Sequence, residues 1–125
     1  MREQLVREAY ARHGGGDLAG FLELFARDAK FFVPGTTRIS GDHPREKLRD
    51  VLTIADEIAA GTLRRDLLDF LVSEHSVAVV LHDHLTRDGK TVDYHAIHVW
   101  DIADGRFTYW WIYPHEYDRF ERAWA

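Results

Sequence analysis

Two short turn sequences, Asp88-Gly89 and Ala103-Asp104-Gly105, separate long β-prone runs in the second half of the chain and restrict it to an antiparallel meander. The runs lie at roughly 63 to 73, 76 to 87, 91 to 102 and 106 to 114, and a short closing helix starts near 115. The first half reads differently. Leu5, Val6, Ala9 and Tyr10 recur at helical spacing between residue 2 and about 13, and Gly14-Gly15-Gly16 ends that helix. Asp17 caps a second short helix, DLAGFLELF, whose apolar face carries Leu18, Phe21, Leu22 and Phe25. AKFFVPG reads as a strand entering a turn at Pro34-Gly35, and the polar loop TTRISGD follows. A third helix runs from Pro44, a natural first helical residue, through Leu48, Val51, Leu52, Ala55 and Ile58 to Gly61. Helices first and a meander afterwards predict one α+β domain over residues 1–125, with a curved antiparallel sheet packed on three N-terminal helices.

Charge and composition remove several classes of function. With 16 Lys plus Arg against 21 Asp plus Glu there is no basic stripe, which argues against nucleic acid and anionic membranes as partners. The absence of cysteine excludes disulfides, thiolate nucleophiles and Cys-based metal sites, and makes a reducing cytoplasm the expected setting. The charged N-terminal segment does not look like a signal peptide, and no apolar run is long enough to span a bilayer. Phosphate loops, G-x-S-x-G and H-E-x-x-H are likewise absent, so neither a bound nucleotide nor a serine nucleophile is indicated. Aromatic residues are abundant, and all 4 Trp fall in the last quarter of the chain.

The turns also set which side chains share a face. A two-residue turn at Asp88-Gly89 places Leu85 opposite Val92, Asp83 opposite Tyr94, Leu81 opposite Ala96 and Val79 opposite His98, all on one face. A three-residue loop at the next hairpin, with Gly105 left-handed, pairs His98 with Trp110, Trp100 with Thr108 and Ala96 with Ile112. The other face carries His82, His84, Asp93 and His95 at one end and Val80, Ile97, Val99, Tyr109 and Trp111 at the other. That apolar patch predicts a homodimer through the outer sheet face.

GGDLAGFLELFARDAKFFVPG and RDGKTVDYHAIHVWDIADGRFTYWWIYP, joined by the third helix, resemble the SnoaL-like branch of the nuclear-transport-factor-2-like superfamily over about residues 2 to 120. The resemblance implies a cone-shaped sheet with a small-molecule pocket at its mouth, and relatives that include polyketide cyclases, ketosteroid isomerases, epoxide hydrolases and dehydratases. The isomerase base, a carboxylate before a proline after the first strand, is replaced here by Val33 before Pro34. The isomerase tyrosine of the first helix falls nearest Ala9, one step from Tyr10. The second isomerase carboxyl aligns with His98, and the IHV around it is similar to the histidine-bearing strand of SnoaL-like proteins. Their partner aspartate on the last strand is replaced by Trp110 or Ile112, which leaves Asp83 as the available acid.

These readings give a candidate catalytic group of His98 as proton carrier, Asp83 as orienting acid and Tyr94 as donor to a developing oxyanion. Trp110, Trp100, Ile112, Tyr10, Phe21, Leu81 and Ala96 are the candidate ligand-binding residues, with Phe25 beside them. The expected substrate is a small apolar oxygenated ring compound, cyclised, isomerised or dehydrated without a cofactor; the alternative is a non-catalytic binding or dimerisation domain. His82, His84 and His95 have the spacing for metal ligands, but on an unshielded outer face, so no metal is expected. His115 and Glu116, after Pro114, fall at the rim of the cone.

Overall fold

A computed structural model describes residues 2–125. The elements run α1 (Arg2–Gly14), α2 (Leu18–Leu22), β1 (Phe25–Val33), β2 (Gly41–Pro44), α3 (Leu48–Ala59), β3 (Arg64–Val72), β4 (Ser76–Arg87), β5 (Lys90–Ala103), β6 (Arg106–Pro114) and α4 (Tyr117–Trp124). One 3-10 turn, Arg45–Lys47, precedes α3. The six strands form one open sheet in the order β2-β1-β6-β5-β4-β3. No described helix is long and apolar enough to cross a membrane.

The helices form where apolar periodicity and end signals agree. Val6 and Ala9 are buried on α1, and the Asp17 carboxylate accepts the Gly20 N–H at 2.9 Å to cap α2. On α3 the buried face is Leu48, Val51, Leu52, Ala55, Ile58 and Ala59, and Ala60 and Gly61, both left-handed, turn the chain into β3.

Four expectations about the first half and the sheet are corrected. The sheet is mixed, because β1 lies parallel to β6 while every other neighbouring pair is antiparallel. Part of the polar loop is the edge strand β2, which pairs with the end of β1. Pro44 closes that strand, so α3 starts four residues later at Leu48. Strand β1 also begins earlier, at Phe25, since Phe25 is needed in the core more than on α2.

The β4–β5 register matches the turn argument in all four pairs: Leu85 with Val92, Asp83 with Tyr94, Leu81 with Ala96 and Val79 with His98. Asp88 and Gly89 both have positive φ, as a type I′ turn requires. The β5–β6 register differs: His98 pairs with Ile112, Trp100 with Trp110 and Ala96 with Pro114. The reason is a two-residue turn, with Asp104 and Gly105 both left-handed, followed by a bulge beside Asp101 and Ile102. Turn and bulge together shift the pairing by two residues, so each side chain keeps its expected face. Further irregularities between Leu67 and Asp69 on β3 and between Phe25 and Lys30 on β1 bend the sheet over the helices.

The concave face supplies the core. Val77, Val79, Leu81, Asp83 and Leu85 of β4 alternate inward, and Trp100 is completely buried. Trp100 stacks on Trp110 with centroids 4.5 Å apart, and Phe31 covers the other side of Trp110 at 4.0 Å. The convex face leaves Ile97 and Tyr113 exposed, and Tyr109 stacks on Trp111 at 4.0 Å.

Candidate functional site

Two hydrogen-bonded groups occupy the interior. In the first, the fully buried Asp83 carboxylate accepts from Arg65 Nε at 2.6 Å and Nη2 at 2.8 Å, and from the Tyr94 hydroxyl at 2.8 Å. Trp124 Nε1, from α4, donates to the Tyr94 oxygen at 2.8 Å. Register explains the pairing, because Arg65 of β3 and Tyr94 of β5 flank Asp83 of β4 on the same face. Burial alone would raise the Asp83 pKa, but the Arg65 guanidinium outweighs it and holds the carboxyl below its ordinary range. Burial, reinforced by Asp83, pushes the Tyr94 hydroxyl well up, so it stays a neutral donor.

In the second group, Trp100 Nε1 donates to the Tyr10 oxygen at 3.1 Å, and the Tyr10 hydroxyl lies 2.8 Å from His98 Nδ1. Burial, and then the nearby Arg65 charge, hold the His98 pKa well below its ordinary value. His98 is therefore neutral at pH 7; in the tautomer protonated on Nε2, its Nδ1 accepts the hydroxyl proton of Tyr10, whose oxygen already accepts from Trp100. Arg65 connects the groups, its guanidinium lying 5.6 Å over the Tyr10 ring.

Two spaces adjoin these groups. A groove of about 400 Å³ is bordered by Arg7, Tyr10, His13, Leu63, Arg65 and Leu67. Behind it lies a cavity of about 40 Å³, enclosed by apolar side chains of α3, β1 and α4 together with Tyr94, Trp110 and Ile112. His13, Leu63 and Arg65 line both spaces. The only buried side-chain polar atoms without a partner among the described residues are His13 Nε2 and Trp110 Nε1, and both side chains line the cavity. His13 Nε2 is 3.6 Å from Asp56 Oδ1, beyond hydrogen-bond reach. Burial, and then Arg65, also lower the His13 pKa.

Of the residues named from sequence, Trp110, Ile112 and Tyr94 line the cavity and Tyr10 borders the groove. His98, Asp83 and Trp100 lie behind them, joined through the hydrogen bonds above, while Phe21, Leu81 and Ala96 are buried core. Glu116 accepts the His95 backbone N–H, which holds its carboxyl at about 2. Sequence reasoning missed His13, Arg65 and Trp124. His13 follows Tyr10 by three residues on α1, so the two share a face. Arg65 is legible only once the β3–β4 register is known, and the bulge in β3 obscures that register.

A pH dependence follows from the two depressed histidines. The unfolded chain binds protons on both near the ordinary 6.5, so their contribution to stability is complete above that pH and is lost as pH falls below it. The slope approaches about 1.4 kcal/mol per pH unit for each histidine. Melting temperature should drop between about pH 7 and pH 5, and His98→Gln should flatten that drop. A wild-type melting temperature constant over this window would contradict the assignment.

Residues 6–110 match the SnoaL-like domain family. An uncharacterized protein of Mycobacterium tuberculosis, Rv0034, is 33% identical over 110 residues, covering 83% of this chain and 81% of its own length. Among solved structures, Bal32a from a soil-derived mobile gene cassette superposes with a TM-score of 0.91 at 26% identity, covering 99% of this chain and 96% of its own. TerC, co-crystallized with polyporic acid, superposes with a TM-score of 0.85 at 19% identity over 99% of this chain and 98% of its own. Another neighbour, from Burkholderia pseudomallei, is described as NTF2-like. With the match spanning most of the chain and the sheet curved over its helices as in these neighbours, the chain belongs to the SnoaL-like domain family and has the nuclear-transport-factor-2-like fold.

Proposed function

We propose that the chain binds a small, largely apolar ring compound carrying a carbonyl or phenolic oxygen, and transforms it by cofactor-free acid/base chemistry. The observation that supports this most directly is the pair of unpartnered buried nitrogens, His13 Nε2 and Trp110 Nε1, whose side chains line a cavity walled mostly by apolar residues, with Arg65, Asp56 and Tyr94 also on its wall. Leaving a buried donor unpaired costs about 1–3 kcal/mol, which a ligand oxygen accepting from both would recover. The cavity has room for that oxygen but not for a ring, whereas the groove of about 400 Å³ has room for the ring. The ligand ring would sit in the groove and its oxygen would enter the cavity between the shared side chains His13, Leu63 and Arg65, beside the Arg65 guanidinium.

Such an arrangement suits proton transfer next to a carbonyl. Negative charge developing on the oxygen would be stabilised by the Trp110 N–H, by His13 Nε2 in the tautomer that protonates it, and by Arg65. His98, neutral and therefore able to accept a proton, exchanges it through the Tyr10 hydroxyl that borders the groove. Cyclisation, isomerisation and dehydration all share this step.

The test is a tryptophan-fluorescence and thermal-shift screen of phenolic, polycyclic and steroid-like ligands, followed by turnover assays on the binders. His98→Gln should keep binding and lose turnover. A second reading, a binder without turnover, draws on Val33 and His98 occupying the positions where the isomerases carry carboxylates. It predicts bound ligands that are never converted, with His98→Gln without effect beyond stability.

A further inference from the structure

The outer face of the sheet carries a second group of polar side chains that the cavity does not use. Asp66 of β3 pairs directly across from His82 of β4, and His84, two residues further along β4, points to the same side. One ligand atom from each of the three lies within 4.8 Å of the others, and the His82 and His84 rings are 4.1 Å apart. Two histidines at i and i+2 on one strand, with a third ligand from the neighbouring strand, present three donors to one point and leave the outward positions open. We propose that Asp66, His82 and His84 form a binding site for a divalent first-row transition cation.

The donor set determines the class of ion. Two imidazoles and one carboxylate suit zinc, iron(II), cobalt or nickel, whereas calcium and magnesium require oxygen ligands throughout. The His84 Nε2 to Asp66 Oδ2 contact, 3.2 Å, is replaced by coordination of both atoms to the cation. Asp93 Oδ2 lies 2.8 Å from His82 Nε2 and orients the ring, so that coordination through Nδ1 would reproduce the outer carboxylate of histidine–metal sites. On its other side the His82 ring is stacked against His95, with centroids 4.1 Å apart and planes 14° from parallel. The two imidazoles are mostly buried, with side chains 23% and 18% exposed, and Asp66 is half exposed, which leaves the cation a route of entry. The site lies on the opposite face of β4 from Asp83, so it is independent of the ligand cavity.

Tag-free protein freed of metal with a chelator, then titrated with zinc by calorimetry at about pH 7, should bind one ion per chain saturably. His82→Gln and His84→Gln should each abolish that binding, Asp66→Asn should weaken it, and Asp93→Asn should weaken it roughly tenfold. His75→Gln, which removes an exposed imidazole elsewhere, should change nothing. Cobalt should give visible absorption bands that vanish in His84→Gln. Thermal melts in chelator verify that each variant is folded, and Asp66→Asn serves as the deciding variant if either histidine substitution unfolds the chain. Absence of saturable binding, or binding that survives removal of these ligands in folded protein, overturns the proposal.

Discussion

Asp83→Ala should lower unfolding free energy by about 3–5 kcal/mol, the range for breaking a buried ion pair from one side. The carboxylate is fully buried and accepts three hydrogen bonds, two from Arg65 and one from Tyr94. Its removal leaves the guanidinium without a counter-charge beside His98 and Tyr10, and leaves the Tyr94 hydroxyl without an acceptor. For a domain of this size the melting temperature should fall by roughly ten degrees or more. Replacing both partners, Asp83→Ala with Arg65→Met, should recover part of the loss, because no unpaired charge is then buried. Chemical denaturation of the two variants measures both effects. A loss below about 1 kcal/mol for the single variant would mean that the pair is hydrated like a surface bridge.

Trp100→Ala should cost a similar amount, about 3–5 kcal/mol, through a different cause. Trp100 is completely buried, lies 4.5 Å from Trp110 and 4.6 Å from Phe107, and meets Tyr10 edge-on at 5.4 Å. Deleting the indole opens a cavity between these rings and removes the N–H that Tyr10 accepts. The functional consequence separates the variant from an ordinary core deletion. Tyr10 loses one of its two hydrogen-bond partners, so on the proposed function any turnover in the fraction that remains folded should fall along with stability. Trp100→Phe, which keeps much of the packing but not the N–H, should retain more stability while still impairing turnover. Denaturation curves alongside turnover per folded molecule distinguish the two effects.

Much of the fold was legible because its signals are local. Asp88-Gly89 dictates a type I′ turn, and that turn alone brings Asp83, Tyr94, Val79 and His98 to one face. The second hairpin was harder, since the bulge beside Asp101 and Ile102 has no turn residue to mark it. Faces survived the error because the pairing moved by two residues. Strand β2 was invisible because GDHP has no β-branched or alternating pattern, and it forms only because the edge of β1 is available to it. The site was legible to the same depth. Trp110, Ile112, Tyr94 and Tyr10 reach the two spaces, whereas His13 and Arg65 come from elements whose registry against the core is fixed only by tertiary packing.

On the proposed function, the unpaired nitrogens of His13 and Trp110 receive a ligand oxygen at the end of the groove. The most direct test is calorimetric titration of wild type, His13→Gln and Trp110→Phe with the best phenolic or polycyclic binder from the screen. Trp110→Phe removes the N–H while keeping an aromatic ring against Phe31 and Trp100. Affinity should be roughly tenfold weaker in Trp110→Phe and weaker also in His13→Gln, with an analogue lacking the oxygen binding all three proteins alike. Affinities unchanged by either substitution, or no ligand bound by the folded wild type, would contradict it and leave a cone filled by its own aromatic side chains.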